Sequence, residues 1–204
     1  MDSRREAERA PAHKQQPPHD AQLRSEALAM ALMPAFAVIC GLLVAAGAAK
    51  LRSPRAARDA VALVGIGVPT GVIRGLGGAE LAVGVSAVVR PSVVTAGLVA
   101  CAYAAFGGFV ARLMRTASRP VDCGCFGDAQ TGAGSVHVVL NAAACLVGVA
   151  AALAPPPGIT WIATRPPLIG VPLAVGTLTA AGAAYLAFTV FPSAWRAYGA
   201  GVGR

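Results

Sequence analysis

Two cysteines one residue apart, Cys123 and Cys125, stand in the string VDCGCFGD (121–128), flanked by acids and glycines. Thiol–disulfide exchange uses the thiolate, and nearby cations favour that form. A disulfide between residues two apart closes only in a tight ring, and strain of that kind makes the bond easier to reduce. Gly124 between the cysteines lowers backbone crowding, and Gly127 permits a sharp turn just after them. The chemistry such a pair offers is redox exchange. The rival reading is a stable turn staple or inert thiols. A zinc site from Cys123, Cys125 and His137 lacks the fourth ligand that a closed structural site takes, so no metal is expected.

The elements that must hold this pair are apolar. The chain has 204 residues, 56% hydrophobic and only 13% charged, with a mean hydropathy of +0.64. Soluble domains run near 25% charged, so lipid is the expected solvent and membrane lipid the first expected partner. The net charge of +8 would suggest nucleic acid in a soluble protein. Here the basic residues fall between apolar runs, as membrane anchors do. With aromatic content at 5% there is little for bases to stack on, and no nucleic-acid partner is expected. Cys40, Cys101 and Cys145 lie in apolar runs, where a free cysteine acts as a small hydrophobe. No nucleotide loop, zinc-protease motif or serine nucleophile elbow is present, so ATP use, zinc proteolysis and ordinary hydrolysis have no positive support.

Hydropathy divides the chain into an all-α integral membrane bundle. Residues 1–27 read as a disordered polar tail. Residues 28–153 read as a four-helix membrane domain: Leu28–Ala49, Pro69–Val89, Ser92–Ala111 and Val136–Leu153, with the cysteine loop at 114–134. A Pro-rich linker (154–167), a fifth transmembrane helix (168–194) and a C-terminal tail (195–204) follow. The first apolar stretch is longer than the core of a secretory signal, so it reads as a retained helix. KLRSPRAARD (50–59) reads as a basic connector, and the apolar residues 60–68 after it as a short interfacial helix or a lead-in to the second span. Gly67, Gly71, Gly75 and Ala79 recur every four residues, a spacing that lets another helix come close. Ser135 is placed to cap the fourth span.

Spans that alternate in direction bring the end of the first, the start of the second, the end of the third and the start of the fourth to one face. Lys50, Arg52, Arg74, Arg112, Cys123, Cys125, His137 and Asn141 are thereby collected. Glu80 lies near the middle of its span, where an acid costs about 2.5–3.5 kcal/mol on insertion scales and so faces the bundle interior. It is carried neutral unless a cation reaches it. Arg74, six residues away on another side of the same helix, is expected to reach for the interface instead. Tyr103 is the expected hydrogen-bond partner. His137 and Asn141, one helical turn apart, face the same way. They either orient the cysteine loop and take protons from it or merely bond a neighbouring helix.

Four strings in this order carry a resemblance: an apolar span ending in Lys50, GAELAVG (78–84), CGCFG (123–127) and SVHVVLN (135–141). Over about residues 30–153 the chain resembles the MauE family of methylamine-utilisation membrane proteins, related to DoxX-like four-helix proteins. The resemblance implies a membrane protein supporting maturation of the disulfide-rich small subunit of methylamine dehydrogenase, beside a thioredoxin-like redox partner outside the cytoplasm. By position it makes Cys123 and Cys125 the redox dithiol and matches Lys50, Glu80 and Asn141 to family positions. No cofactor is identified from the residues; a quinone follows only by analogy with DoxX-like proteins. Two functions are thus expected. One is a membrane thiol–disulfide oxidoreductase component acting on a disulfide-containing client. The other is a non-enzymatic assembly factor or small-molecule carrier using Glu80 in the bundle. The protein is expected in the cell membrane as a multi-pass protein. Basic residues counted near the spans put the cysteine loop on the cytoplasmic side, whereas disulfide chemistry favours the other side. The two arguments leave its side open.

Overall fold

The computed structural model describes residues 19–116, 124–125, 134–190, 194 and 198. These form helices α1 (His19–Arg52), α2 (Pro54–Leu63), α3 (Thr70–Val89), α4 (Val93–Thr116), α5 (Ser135–Leu153), α6 (Ile159–Ala163) and α7 (Pro167–Thr189). Among the described residues five stretches are long and apolar enough to cross a membrane: Glu26–Arg52, Thr70–Val89, Val93–Thr116, Ser135–Leu153 and Pro167–Thr189. The protein is a multi-pass membrane helical bundle.

Its side chains are distributed as lipid dictates. Leu98, Leu146, Leu168 and Leu178 point outward, while Ala87, Ala96, Ala144 and Ala151 are buried. Lipid tails are as apolar as leucine, so burying a large side chain brings little gain, and small residues that allow close helix contact fill the interior instead. The core joins Phe36, Cys40 and Leu43 of α1 to Ala87 of α3, Val99 and Tyr103 of α4, and Ala144 of α5. Helix α7 stands at the margin of this four-helix core and buries only Gly170 and Phe188.

The principal pairs are α1 with α3 and α4 with α5. Both run antiparallel: Gly84 meets Cys40 and Val44 while Gly77 meets Gly47 and Lys50, and Gly148 meets Ala100 while Gly107 meets Asn141. Along α3 the buried residues are Ile73, Gly77, Glu80, Gly84 and Ala87, one face at helical spacing. The small-residue stripe expected at Gly67, Gly71, Gly75 and Ala79 is instead exposed. In so glycine-rich a chain several stripes share the period, and the one that faces α1 is chosen by where Glu80 must go.

A Cβ on Gly77 would lie 2.8 Å from the Gly47 carbonyl oxygen and 2.9 Å from Lys50 Cβ, whereas one on Gly75 meets nothing within 4 Å. Gly77→Ala is therefore expected to destabilise the bundle by about 1–3 kcal/mol, as overpacking does, and Gly75→Ala to cost nothing. Unfolding of the two variants in detergent micelles checks this; equal losses would refute the contact.

Other boundaries differ from expectation in ways with physical causes. Helix α1 starts at His19, well ahead of Leu28, because nothing in HDAQLRSEA breaks a helix; residues 1–18 of the expected tail lie outside the described residues. The short helix before the second span is Pro54–Leu63 rather than 60–68. Pro54 occupies its first turn and Pro54, Ala57 and Ala60 form its buried face, so the arginines taken for a connector are its outer face. Ser135 makes no capping hydrogen bond, and Gly134 holds the N-cap position of α5. The side-chain cap occurs on α4, where the Ser92 N–H donates to Thr95 Oγ1 at 2.9 Å and the Thr95 N–H donates to Ser92 Oγ at 3.2 Å, a reciprocal capping arrangement. The Pro-rich linker contains α6, beside which the Arg165 guanidinium sits 3.9 Å from the Trp161 ring centroid. Of the C-terminal tail only Tyr198 is described.

Candidate functional site

The last turn of α1 delivers Lys50 into the interior. Gly47 one turn earlier lets α3 approach, since a Cβ there would lie 2.8 Å from the Leu81 nitrogen. At that crossing the Lys50 Nζ donates to Glu80 Oε2 at 2.7 Å, with both residues only 4% exposed. Lys50 also lies 5.0 Å from the Phe106 ring centroid on α4 and 3.5 Å from the Cys125 carbonyl oxygen. One ammonium thus touches α3, α4 and the cysteine loop.

Lys50 was expected at the rim as one of several cationic anchors, and it is instead a buried counter-ion. Glu80 was expected to bond Tyr103, but the Tyr103 hydroxyl donates to the Ile39 carbonyl of α1 at 2.6 Å. The second carboxylate oxygen, Glu80 Oε1, is buried without a hydrogen-bond partner among the described residues.

Cys125 is half-buried at the bundle end. The residue before it, Gly124, has φ +64°, the left-handed region that glycine enters without steric cost. Gly124 is pressed against α2: a Cβ there would lie 2.7 Å from the Ala56 carbonyl carbon and oxygen and from the Ala57 nitrogen. The glycine between the cysteines therefore sits directly on α2. Cys123 and the rest of the string lie outside the described residues.

On α5, Asn141 Nδ2 donates to the His137 carbonyl at 2.7 Å. His137 Nε2 lies 3.0 Å from the Phe188 carbonyl of α7. Both side chains are buried. Arg74 faces outward on α3, and Arg52 is exposed. Arg112 is exposed too and donates to the Val64 carbonyl just past α2, at 3.5 Å. Of the residues expected on one face, Lys50, Cys125, His137 and Asn141 converge, Glu80 joins them, and Arg74 does not. Of the expected cations, Lys50 contacts Cys125, and it is paired with Glu80; Arg112 reaches the carbonyl of Val64, which packs against Cys125.

Two cavities adjoin these groups. One, of about 250 Å³, is lined by Lys50 and Glu80, by Ile73, Phe106 and Phe109, and by Cys125. The other, of about 10 Å³, lies between Tyr103, Phe106, Cys125, His137, Asn141 and Phe188. Cys125 and Phe106 line both. Phe106 was not singled out from the sequence, although it follows Tyr103 by three residues and so shares its helix face.

The family model described as Methylamine utilisation protein MauE matches residues 27–154, well over half of the chain. That range contains α1 from Ala27 through the end of α5, and with them Lys50, Glu80, Cys125, His137 and Asn141. No curated protein and no solved structure matches the chain.

Proposed function

The chain belongs to the family of methylamine utilisation protein MauE, and from that premise we propose that it is a membrane thiol–disulfide component. Its task is maturation of a disulfide-containing client, as in biogenesis of the methylamine dehydrogenase small subunit, beside a thioredoxin-like partner. What supports the reading is one juxtaposition. Cys125 lines two interior cavities at the bundle end, with its backbone 3.5 Å from a lysine that is itself ion-paired inside the bundle. A buried charge pair is costly to assemble, and here it positions the loop that carries the thiol.

The dithiol is Cys123 and Cys125. One thiolate attacks a partner disulfide, breaking that S–S bond, forming a mixed disulfide and releasing one partner thiolate. The second thiolate attacks the cysteine sulfur of the mixed disulfide, closes the Cys123–Cys125 bond and expels the other partner thiolate. The partner gains two electrons and the dithiol loses them; the reverse sequence oxidises a client dithiol. Trapping tests this. Removing the resolving cysteine, by Cys125→Ser or Cys123→Ser, should leave a mixed disulfide visible on a non-reducing gel. Capture of no partner by either variant, together with full activity of the double variant, would overturn the proposal.

A second reading has its own supporting observation. The 250 Å³ cavity is apolar except for Lys50 and Glu80 beside Cys125, which suits a small lipophilic molecule bearing one polar group. On that reading the protein is an assembly factor or carrier, Glu80→Gln disables it, and the double cysteine variant keeps its activity.

A further inference from the structure

The 10 Å³ cavity between α1, α4, α5, α7 and Cys125 is lined by a base outside the exchange chemistry. His137 is 1% exposed, and its Nε2 lies 3.0 Å from the Phe188 carbonyl oxygen. A carbonyl can only accept, so Nε2 carries the hydrogen. In the neutral ring Nδ1 is then the acceptor. This atom is buried and has no hydrogen-bond partner among the described residues, a costly state in an apolar interior. His137 and Cys125 line the same cavity, whose volume is about that of one water.

We propose that His137 accepts the proton of the Cys125 thiol through one water held in this cavity. Cys125 S–H gives its proton to the water, which passes one of its own to Nδ1. The products are a thiolate and an imidazolium in one enclosed space, and no electrons change hands. The imidazolium stabilises the thiolate it creates, as histidine does for catalytic cysteines generally.

The other titratable groups facing the site are already committed. Lys50 of α1 and Glu80 of α3 neutralise each other. The Tyr103 hydroxyl of α4 donates to Ile39. The described part of α7 offers the site only the Phe188 backbone and ring. Asn141, on the same helix as His137, does not titrate and anchors that turn by its bond to the His137 carbonyl. Asp59 of α2 is paired with Arg58, and Arg112 of α4 reaches the Val64 carbonyl; His137 is the remaining base lining this cavity.

The role deepens the dithiol reading, but its test does not require a redox partner. In the full-length Cys123→Ser chain in micelles, the rate of iodoacetamide alkylation at Cys125 is read by mass spectrometry across pH. His137→Gln retains an N–H that can reach the Phe188 carbonyl and removes the imidazole. It is expected to slow alkylation about tenfold at pH 7, with the two rates converging as the pH is raised into the alkaline range, where thiols ionise without a base. Equal rates at pH 7, or a rate ratio that stays constant across pH, would overturn the proposal, since the second pattern reports altered access. Should His137→Gln not fold, His137→Asn carries the same expectation. Partner trapping can fail while this profile holds, so failure of the dithiol reading and failure of the proton acceptor are distinguishable.

Discussion

Lys50→Met destabilises the bundle by about 3–5 kcal/mol, the cost of leaving one buried charge without its partner. Glu80 is 4% exposed, and its Oε1 already lacks a partner among the described residues. Removing the ammonium from 2.7 Å leaves both oxygens unsatisfied, and Glu80 can stay buried only by becoming a neutral acid or by drawing in water. The loss also removes the contacts of Lys50 with the Cys125 carbonyl at 3.5 Å and the Phe106 ring at 5.0 Å. The double replacement Lys50→Met/Glu80→Met substitutes two side chains of similar size and no charge, and recovers most of the stability. Unfolding of the four chains in detergent micelles closes the cycle, with a coupling of opposite sign to the single losses. Small, additive losses would mean that the ion pair does not join α1 to α3.

Gly124→Ala has the largest expected effect on the thiol itself. The backbone stands at φ +64°, where a Cβ costs about 1–2 kcal/mol. That Cβ would also lie 2.7 Å from three backbone atoms of Ala56 and Ala57. Backbone cannot rotate aside as a side chain can, so the loop must leave its seat on α2. The helical core, built from α1, α3, α4 and α5, does not depend on that seat. Labelling of Cys125 by a bulky water-soluble maleimide should rise about tenfold or more, as buried thiols become reactive on exposure, while the unfolding midpoint changes little. Unchanged labelling would show that the α2 contact does not hold the loop.

Much of the fold is legible because lipid imposes a simple rule: an uncharged run of about twenty residues is a span. The five spans follow from that; α3 and α5 match closely in their bounds, whereas α4 continues five residues past Ala111 to Thr116, into the stretch expected as the cysteine loop. The gathering of Lys50, Cys125, His137 and Asn141 follows from alternation alone. What composition could not convey is which face of each helix turns inward. Glu80 offered Arg74 and Tyr103 as neighbours by proximity and depth, yet its partner is thirty residues back, at the end of the preceding span. Only the antiparallel contact at Gly47 and Gly77 puts the two side chains at one level. Tyr103 was drawn away for a similar reason, because a carbonyl of α1 lay within 2.6 Å of its hydroxyl. Helix α2 was hidden by its arginines, which break the hydropathy signal while keeping the 3.6-residue spacing of Ala57 and Ala60. The Phe188 carbonyl that fixes the tautomer of His137 is a backbone group, and no residue type announces it.

The ion pair has a consequence for biosynthesis. An isolated acid entering lipid in mid-helix costs about 2.5–3.5 kcal/mol on insertion scales, so α3 would be a reluctant passenger if it met the translocon first. Lys50 precedes Glu80 in the chain and ends the span before it, so the ribosome releases the cation earlier. Sitting in the last turn of α1, that ammonium can wait among the lipid headgroups until Glu80 arrives and draws it inward. Vectorial synthesis thus supplies the counter-ion before the acid needs it, and a permuted chain that emits α3 ahead of α1 would insert less efficiently.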